Sequence, residues 1–158
     1  MRSTRRLLPV LLALLVPAAA RAATPCDSPE AVARRLYESS YSFYAEGAPA
    51  GLLAPAFEKA VRAEVSCLAK EGLCNLDYDP WLGAQDGEIA GKPELVVVSS
   101  MGDFAAVVQM SYRFTVEAGK STPHAVEIVL SRETGQCWKV ADLITPIGDS
   151  LLHLLSTP

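Results

Sequence analysis

The sequence lacks the short motifs that most often carry catalysis or metal binding. Its only histidines, His124 and His153, show neither the HExxH nor the His-x-His spacing, so a histidine-based metal site is not expected. There is no Gly-x-Ser-x-Gly elbow for a serine nucleophile and no glycine-rich loop to bind a phosphate. No two cysteines have the Cys-x-x-Cys spacing of a structural zinc site. These absences favour a protein that uses no cofactor or metal and carries no recognisable catalytic set.

Apolar runs long enough to cross a membrane are also missing, and the one long uncharged stretch lies at the N-terminus. Arginines at positions 2, 5 and 6 precede this stretch, 7–20, which is about 14 residues long against the roughly 20 that a spanning helix needs. A small-x-small site, Ala20-Arg21-Ala22, ends it. The pattern predicts that residues 1–22 are a cleavable secretory signal peptide, with an uncleaved anchor as the alternative. We therefore expect export to the periplasm and no membrane association after cleavage.

Basic residues are scarce once the signal peptide is removed. The whole chain has a formal net charge of −4, and four of its arginines lie in 1–22, so the mature chain carries a net charge of about −8. An acidic surface disfavours nucleic acid and anionic lipid as partners and permits a basic protein partner. Because no linker, repeat or low-complexity tract divides it, residues 23–158 are predicted to form a single domain.

The mature chain contains four cysteines, and an even number in an exported protein indicates disulfides. Four cysteines allow three pairings. We favour Cys67–Cys74, which would close a short loop across a helix end, together with Cys26–Cys137, which would tie the N-terminus to a late strand. Free buried thiols are the alternative.

The first half of the mature chain has the pattern of helices. Ser28 followed by Pro29 is a typical helix start and Gly47 a typical end, so one helix is predicted to run to about residue 46. Pro55 and Gly72 bound a second helix in the same way. The first helix carries three aromatic residues on one face, suited either to a pocket wall or to the core: Tyr37, Tyr41 and Tyr44.

The second half changes to the period-two pattern of strands. Strands are predicted over 94–101, 107–116, 124–132 and 137–144, and a short helix over 146–155. Short polar turns separate the strands, which favours an antiparallel meander. The fold class predicted is therefore α+β, with N-terminal helices packed on a curved antiparallel β-meander and a short C-terminal helix. The inward side chains are expected to be Val108, Met110, Tyr112, Phe114, Val116, Val126, Ile128, Leu130, Trp138 and Val140.

Carboxylates in two places are candidates for chemistry. Asp77, Asp79 and Asp86 lie in a turn-rich loop, where such residues either bind a cation or stabilise turns. Trp81 in the same loop would either stack on a ligand or cover the core. Asp142 has the inward parity of the last strand, so it would act as a general base in a pocket or, as the strand ends, cap the following turn.

Several of these features resemble one family of exported proteins. The tyrosine-rich first helix, the loop Asp-Tyr-Asp-Pro-Trp with Ala84-Gln85-Asp86 after it, the β-meander, and a closing run from Trp138 to Ile144 are similar to the proteobacterial domain of unknown function family 3828. The resemblance spans about 28–144. It implies a cone similar to nuclear transport factor 2, in which a bent sheet wraps around a long helix and leaves a pocket at the wide end. It implies no reaction, because the family has no assigned activity.

The predicted function is that of an exported periplasmic non-enzymatic binding or interaction domain with an unknown protein or small-molecule partner. One alternative is an immunity protein that neutralises a toxin delivered into the periplasm, and another is a small hydrolase or isomerase that uses Asp142. Val107 and Val129 lie on the open sheet face and leave room there for a homodimer. The residues expected to line the wide-end pocket are Tyr41, Tyr44, Trp81, Asp86, Tyr112 and Asp142.

Overall fold

Helices come first along the chain, a sheet follows, and a short helix ends it. The computed structural model describes residues 26–117 and 119–157, so the predicted signal peptide, 1–22, lies outside the described residues. This order confirms the predicted α+β class. The elements are α1 (Pro29–Ser39), α2 (Phe43–Glu46), α3 (Pro55–Glu71), β1 (Glu88–Met101), β2 (Ala105–Glu117), β3 (Lys120–Ser131), β4 (Lys139–Ile144) and α4 (Leu151–Ser156).

The helix boundaries follow local chemistry, although the first predicted helix is in fact two. The Ser28 hydroxyl accepts a hydrogen bond from the Ala31 N–H at 3.2 Å and so caps α1. The helix ends at Ser40, which has the non-helical angles φ −151° and ψ 41°. The break turns Phe43 into the core as the first residue of α2. Gly72, with φ +79°, ends α3 as predicted.

The four strands form an antiparallel sheet in the order β1-β2-β3-β4, which is the predicted meander. Helix α1 packs on β1 and β2, whereas α3 and α4 pack on β4. Most of the predicted inward residues are buried, but Val116 is 64% exposed because it lies near the end of β2, beyond the buried part of that strand. Strand β1 starts at Glu88, six residues before the predicted start, because a register shift after Ala90 absorbs the following Gly and Pro.

A bulge in β4 overturns the predicted inward position of Asp142. Val129 of β3 pairs with Asp142, but Leu130 pairs with Val140, so β4 contains one extra residue, Ala141. Such a bulge exchanges the two faces of a strand beyond it. Leu143 is therefore fully buried, and Asp142 is only partly buried at the edge of the core.

The far edge of β4 is covered by the segment before α3. Leu53 forms a parallel bridge with Val140. The Ala54 N–H donates to the Val140 carbonyl at 2.7 Å, and the Val140 N–H donates to the Leu52 carbonyl at 3.0 Å. This pairing holds 52–54 beside the sheet and fixes where α3 begins.

One disulfide joins cysteines that are far apart in the sequence, and a second joins cysteines that are close in the sequence. Cys26 pairs with Cys137, and Cys67 pairs with Cys74, so the favoured connectivity is confirmed and no cysteine is free. Two disulfides fit an oxidising compartment outside the cytoplasm. Within 26–117 and 119–157, no helix is both long and apolar enough to cross a membrane.

Candidate functional site

Trp81 lies at the centre of an aromatic cluster, and its fully buried side chain is part of the core. The centroid of its ring lies 5.4 Å from that of Tyr37, 5.8 Å from that of Tyr41 and 6.0 Å from that of Phe43. Its indole N–H donates to the Tyr41 carbonyl at 2.8 Å. Trp81 therefore fastens the loop after α3 to the break between α1 and α2.

Asp79 connects this cluster through hydrogen bonds. The Tyr41 hydroxyl donates to Oδ2 of Asp79 at 2.8 Å, and the backbone N–H of Trp81 donates to Oδ1 of Asp79 at 2.8 Å. The second bond forms an Asx-turn, in which an aspartate side chain accepts from the backbone N–H two residues later. Among the described residues, no group of three or more His, Cys, Asp or Glu side chains is placed to hold a metal ion. The contact of Asp79 with the Trp81 backbone N–H, together with bonds from the Leu82 and Gly83 N–H groups to the Asp79 carbonyl, makes the loop a turn.

Four of the six predicted site residues lie in or beside this cluster. Tyr112 is buried, and its hydroxyl donates to the Trp81 carbonyl. Tyr44 is partly buried, with its ring centroid 5.8 Å from that of Phe43. Together with Tyr41 and Trp81 these residues form packed core and its margin, with most of their polar atoms already hydrogen-bonded. All four residues therefore serve mainly to hold the fold together.

The two carboxylates among the predicted site residues, Asp142 and Asp86, lie outside the aromatic cluster. Asp142 Oδ1 accepts hydrogen bonds from the N–H groups of Leu143 and Leu152, both at 2.8 Å, and Oδ2 accepts from the Ser150 hydroxyl at 2.5 Å. Asp142 thus anchors the first turn of α4, which is the alternative that the sequence left open. Asp86 is exposed in the turn before β1.

All five tyrosines of the chain have pKa values raised above the usual 10.0, with burial as the largest cause. Burial, followed by the charge of Asp79, raises the pKa of Tyr44 to about 12. Burial, followed by the hydrogen bond to Asp149, raises the pKa of Tyr78 to about 12. Tyr41, which is held by Asp79, is shifted further in the same direction.

We expect the native protein to resist tyrosine ionisation near pH 10. The unfolded chain loses these protons near pH 10, whereas the folded chain retains them, so the tyrosines stabilise the fold fully below pH 10. That stabilisation is lost as the pH rises through about 12. The measurement is phenolate absorbance against pH for the native and the urea-denatured protein. Superimposable titration curves would contradict the expectation.

A surface groove beside this cluster runs from α1 to α3. One cavity of about 330 Å³ lies between α3 and the segment 46–48, and a second of about 540 Å³ lies at the break between α1 and α2. Both cavities share Glu46, Gly47 and Ala48, so they adjoin, and we call them together the α2–α3 groove. The apolar residues at its floor are Leu53, Val61 and Val65, of which only Val65 is partly exposed. The charged residues at its rim are Glu38, Glu46, Glu58 and Arg62.

Sequence reasoning missed one buried carboxylate, Glu64 of α3, which is completely shielded from solvent. Its Oε2 accepts hydrogen bonds from the Asn75 side-chain amide at 2.9 Å and the Asn75 backbone N–H at 3.3 Å. Its Oε1 accepts from the Leu76 N–H at 3.1 Å. Glu64 therefore satisfies donors of Asn75 and Leu76, directly after the loop that the Cys67–Cys74 disulfide closes, so its role is structural.

Comparison with known proteins adds no identification. No family model, curated protein or solved structure matches this chain. The residues and their geometry therefore have to indicate the function, and the family resemblance stays a prediction.

Proposed function

We propose that residues 23–158 form an exported, non-enzymatic binding domain that works in the periplasm, with the α2–α3 groove as its binding site. The observation that carries this proposal is the groove itself, which combines an apolar floor with a few charged groups at its rim. Cavities of several hundred Å³ with this mixture are typical of recognition sites. Tyr41 and the neighbouring serines place hydrogen-bonding groups along one side.

The compartment and the fold support this proposal. The signal-peptide pattern and the two disulfides agree on a location outside the cytoplasm. Membership of family 3828 and a cone similar to nuclear transport factor 2 remain part of the proposal, supported by helices that pack on one face of a four-stranded meander. The homodimer through the outer sheet face is likewise a proposal, supported by the half-buried Val107 and Val129.

The position of the strongest catalytic candidate favours binding over catalysis. A hydrolase or isomerase based on Asp142 requires this carboxylate to accept a proton from a substrate. Its oxygens instead accept hydrogen bonds from Leu143, Ser150 and Leu152. An immunity protein is a special case of a binding domain, and the acidic charge favours it because many enzymes that attack anionic substrates have basic active sites.

The test is affinity capture with mature protein and a blocked groove. Ser66 is exposed and lines the groove, so Ser66→Trp places a large ring there without disturbing buried residues. Ala31→Trp, at an exposed site on α1, is the matched control. We expect a periplasmic component, identified by mass spectrometry, to bind the wild type and Ala31→Trp and to be lost with Ser66→Trp. Retention by Ser66→Trp, or no specific component at all, would contradict the proposal.

A further inference from the structure

We propose that the Cys26–Cys137 disulfide is a site of thiol–disulfide exchange, which a dithiol opens in the folded protein before it opens Cys67–Cys74. The dithiol is either a small molecule or the active-site pair of a thiol–disulfide oxidoreductase. The residues around this bridge are not those of the α2–α3 groove, so the site is independent of the proposed function. The exposure of the bridge, the clefts beside it and the contacts that hold the chain on either side support this assignment.

Exposure to solvent distinguishes the two disulfides. Cys26 and Cys137 are both exposed, whereas Cys67 and Cys74 are only partly exposed. Exchange begins when a thiolate attacks one sulfur of the disulfide, so its rate depends on access to that sulfur. A dithiol in solution therefore reacts first with the bridge between Cys26 and Cys137.

Two clefts beside the exposed bridge give a thiolate room to approach. One cleft, of about 330 Å³, is lined by Cys26 and Phe104, and the other, of about 270 Å³, is lined by Cys137 and Lys139. Arg132 lines both, so the clefts adjoin at the turn between β3 and β4. Because each cysteine borders a cleft, either sulfur is open to attack.

The charged groups that line these clefts do not repel a thiolate. Asp103 and Glu133 are acidic, and Arg132 and Lys139 are basic, so the two signs are equal in number. Asp103 is also paired with Arg132 at 2.9 Å. The protein as a whole is acidic, but an approaching thiolate meets no net repulsion at this site.

Each side of the bridge has its own attachment to the fold. On one side, the Ser28 hydroxyl caps α1, and Val32 of that helix is buried in the core. On the other side, the Arg132 N–H donates to the Phe104 carbonyl at 2.9 Å, and the Arg132 guanidinium lies 4.5 Å from the ring centroid of Trp138. Opening the disulfide lowers stability but leaves both segments in place, so exchange requires no unfolding.

The other disulfide is held closed by its surroundings. Glu64 accepts hydrogen bonds from the N–H groups of Asn75 and Leu76, which directly follow Cys74. These bonds keep Cys74 beside α3 when its disulfide is attacked, so its thiol stays close to Cys67 at a high effective concentration. A mixed disulfide formed there is therefore reversed, because the released cysteine expels the attacking thiol again.

The exchange consists of two substitutions at sulfur. A thiolate of the dithiol attacks Sγ of Cys26 or Cys137, forms a mixed disulfide and releases the other cysteine as a thiolate, which takes up a proton. The second thiol of the dithiol loses its proton and attacks its own sulfur of the mixed disulfide, which expels the remaining cysteine. The dithiol is oxidised to a disulfide by two electrons, and the protein gains two thiols.

The experiment is partial reduction of the folded mature protein, with new thiols trapped by iodoacetamide and located by peptide mass spectrometry. The probes are dithiothreitol and reduced thioredoxin, one small and one protein dithiol. We expect Cys26 and Cys137 to be alkylated at least about tenfold faster than Cys67 and Cys74. The circular dichroism spectrum should keep its native shape while the first two thiols appear. Selective opening by either probe supports the site, and the faster probe at equal thiolate concentration identifies the source of the dithiol.

The matched control is the variant Cys67→Ala with Cys74→Ala, which retains only the exposed bridge and should react at the wild-type rate. In concentrated urea, the two bridges of the wild type should react at similar rates, because unfolding removes the difference in exposure. Appearance of all four thiols together in native buffer, or loss of the native spectrum with the first two, would show that opening requires unfolding and would overturn the proposal. Faster alkylation of Cys67 and Cys74 would overturn it as well.

Discussion

Removal of the Cys26–Cys137 disulfide should lower the free energy of unfolding by about 5 kcal/mol, about twice the loss from removing Cys67–Cys74. The two bridges have sequence separations of 111 and 7 residues. In the chain-entropy description, a bridge stabilises the fold by restricting the unfolded chain, and the effect grows with the logarithm of the loop length, which gives about 5 and about 2 kcal/mol. Because Cys26 and Cys137 are both exposed, their replacement removes little packing.

The measurement is urea unfolding of two double variants, Cys26→Ala with Cys137→Ala and Cys67→Ala with Cys74→Ala, beside the wild type. The first variant should show the larger fall in midpoint and also a larger slope, because its unfolded state becomes less compact. A larger loss of stability in the Cys67 and Cys74 variant would contradict the loop-length argument.

Truncation of Trp81 to alanine should cost about 3–5 kcal/mol, the range for a large buried aromatic residue. The ring is completely buried against Tyr37, Tyr41 and Phe43, and the substitution also removes the indole hydrogen bond to the Tyr41 carbonyl. Trp81→Phe keeps part of the ring contact and loses that hydrogen bond, so it should cost less than Trp81→Ala.

The control for Trp81 is Phe104→Ala, because Phe104 is 59% exposed at the β1–β2 turn. Its replacement should change stability by no more than about 0.5 kcal/mol. Thermal and urea unfolding of the three variants provide the comparison. If Trp81→Ala and Phe104→Ala are equally mild, Trp81 does not hold the core together as its burial indicates.

Short-range patterns predicted most of the fold. Period-two alternation located the buried face of β2 and β3, and proline and glycine marked the ends of α3. The positions of the cysteines relative to the predicted helix end and late strand favoured the two disulfides that form. The bulge at Ala141 could not be predicted, because an extra residue in a strand leaves the local composition unchanged while it turns Asp142 out of the core.

The candidate site was harder to predict, since it depends on contacts between distant segments. Tyr41 and Trp81 were both expected at one pocket and do contact each other, but Asp79, which joins them, was expected only to bind a cation or to stabilise a turn. Glu64 carried a usable signal: it falls on the apolar stripe of α3, three residues after Val61 and seven after Phe57, where a charge needs buried partners. The groove is lined by residues of α1, α2 and α3, which no single stretch of sequence brings together.

The connectivity of the cysteines also bears on the timing of export. On the proposed route, the chain crosses the membrane from its N-terminus, so Cys26 is the first cysteine to reach the oxidising side and Cys137 the last. Pairing in order of arrival would join Cys26 to Cys67 and Cys74 to Cys137, which is not the native arrangement. Cys26 must therefore stay reduced, or be released from an early wrong partner by thiol exchange, until almost the whole chain has been translocated.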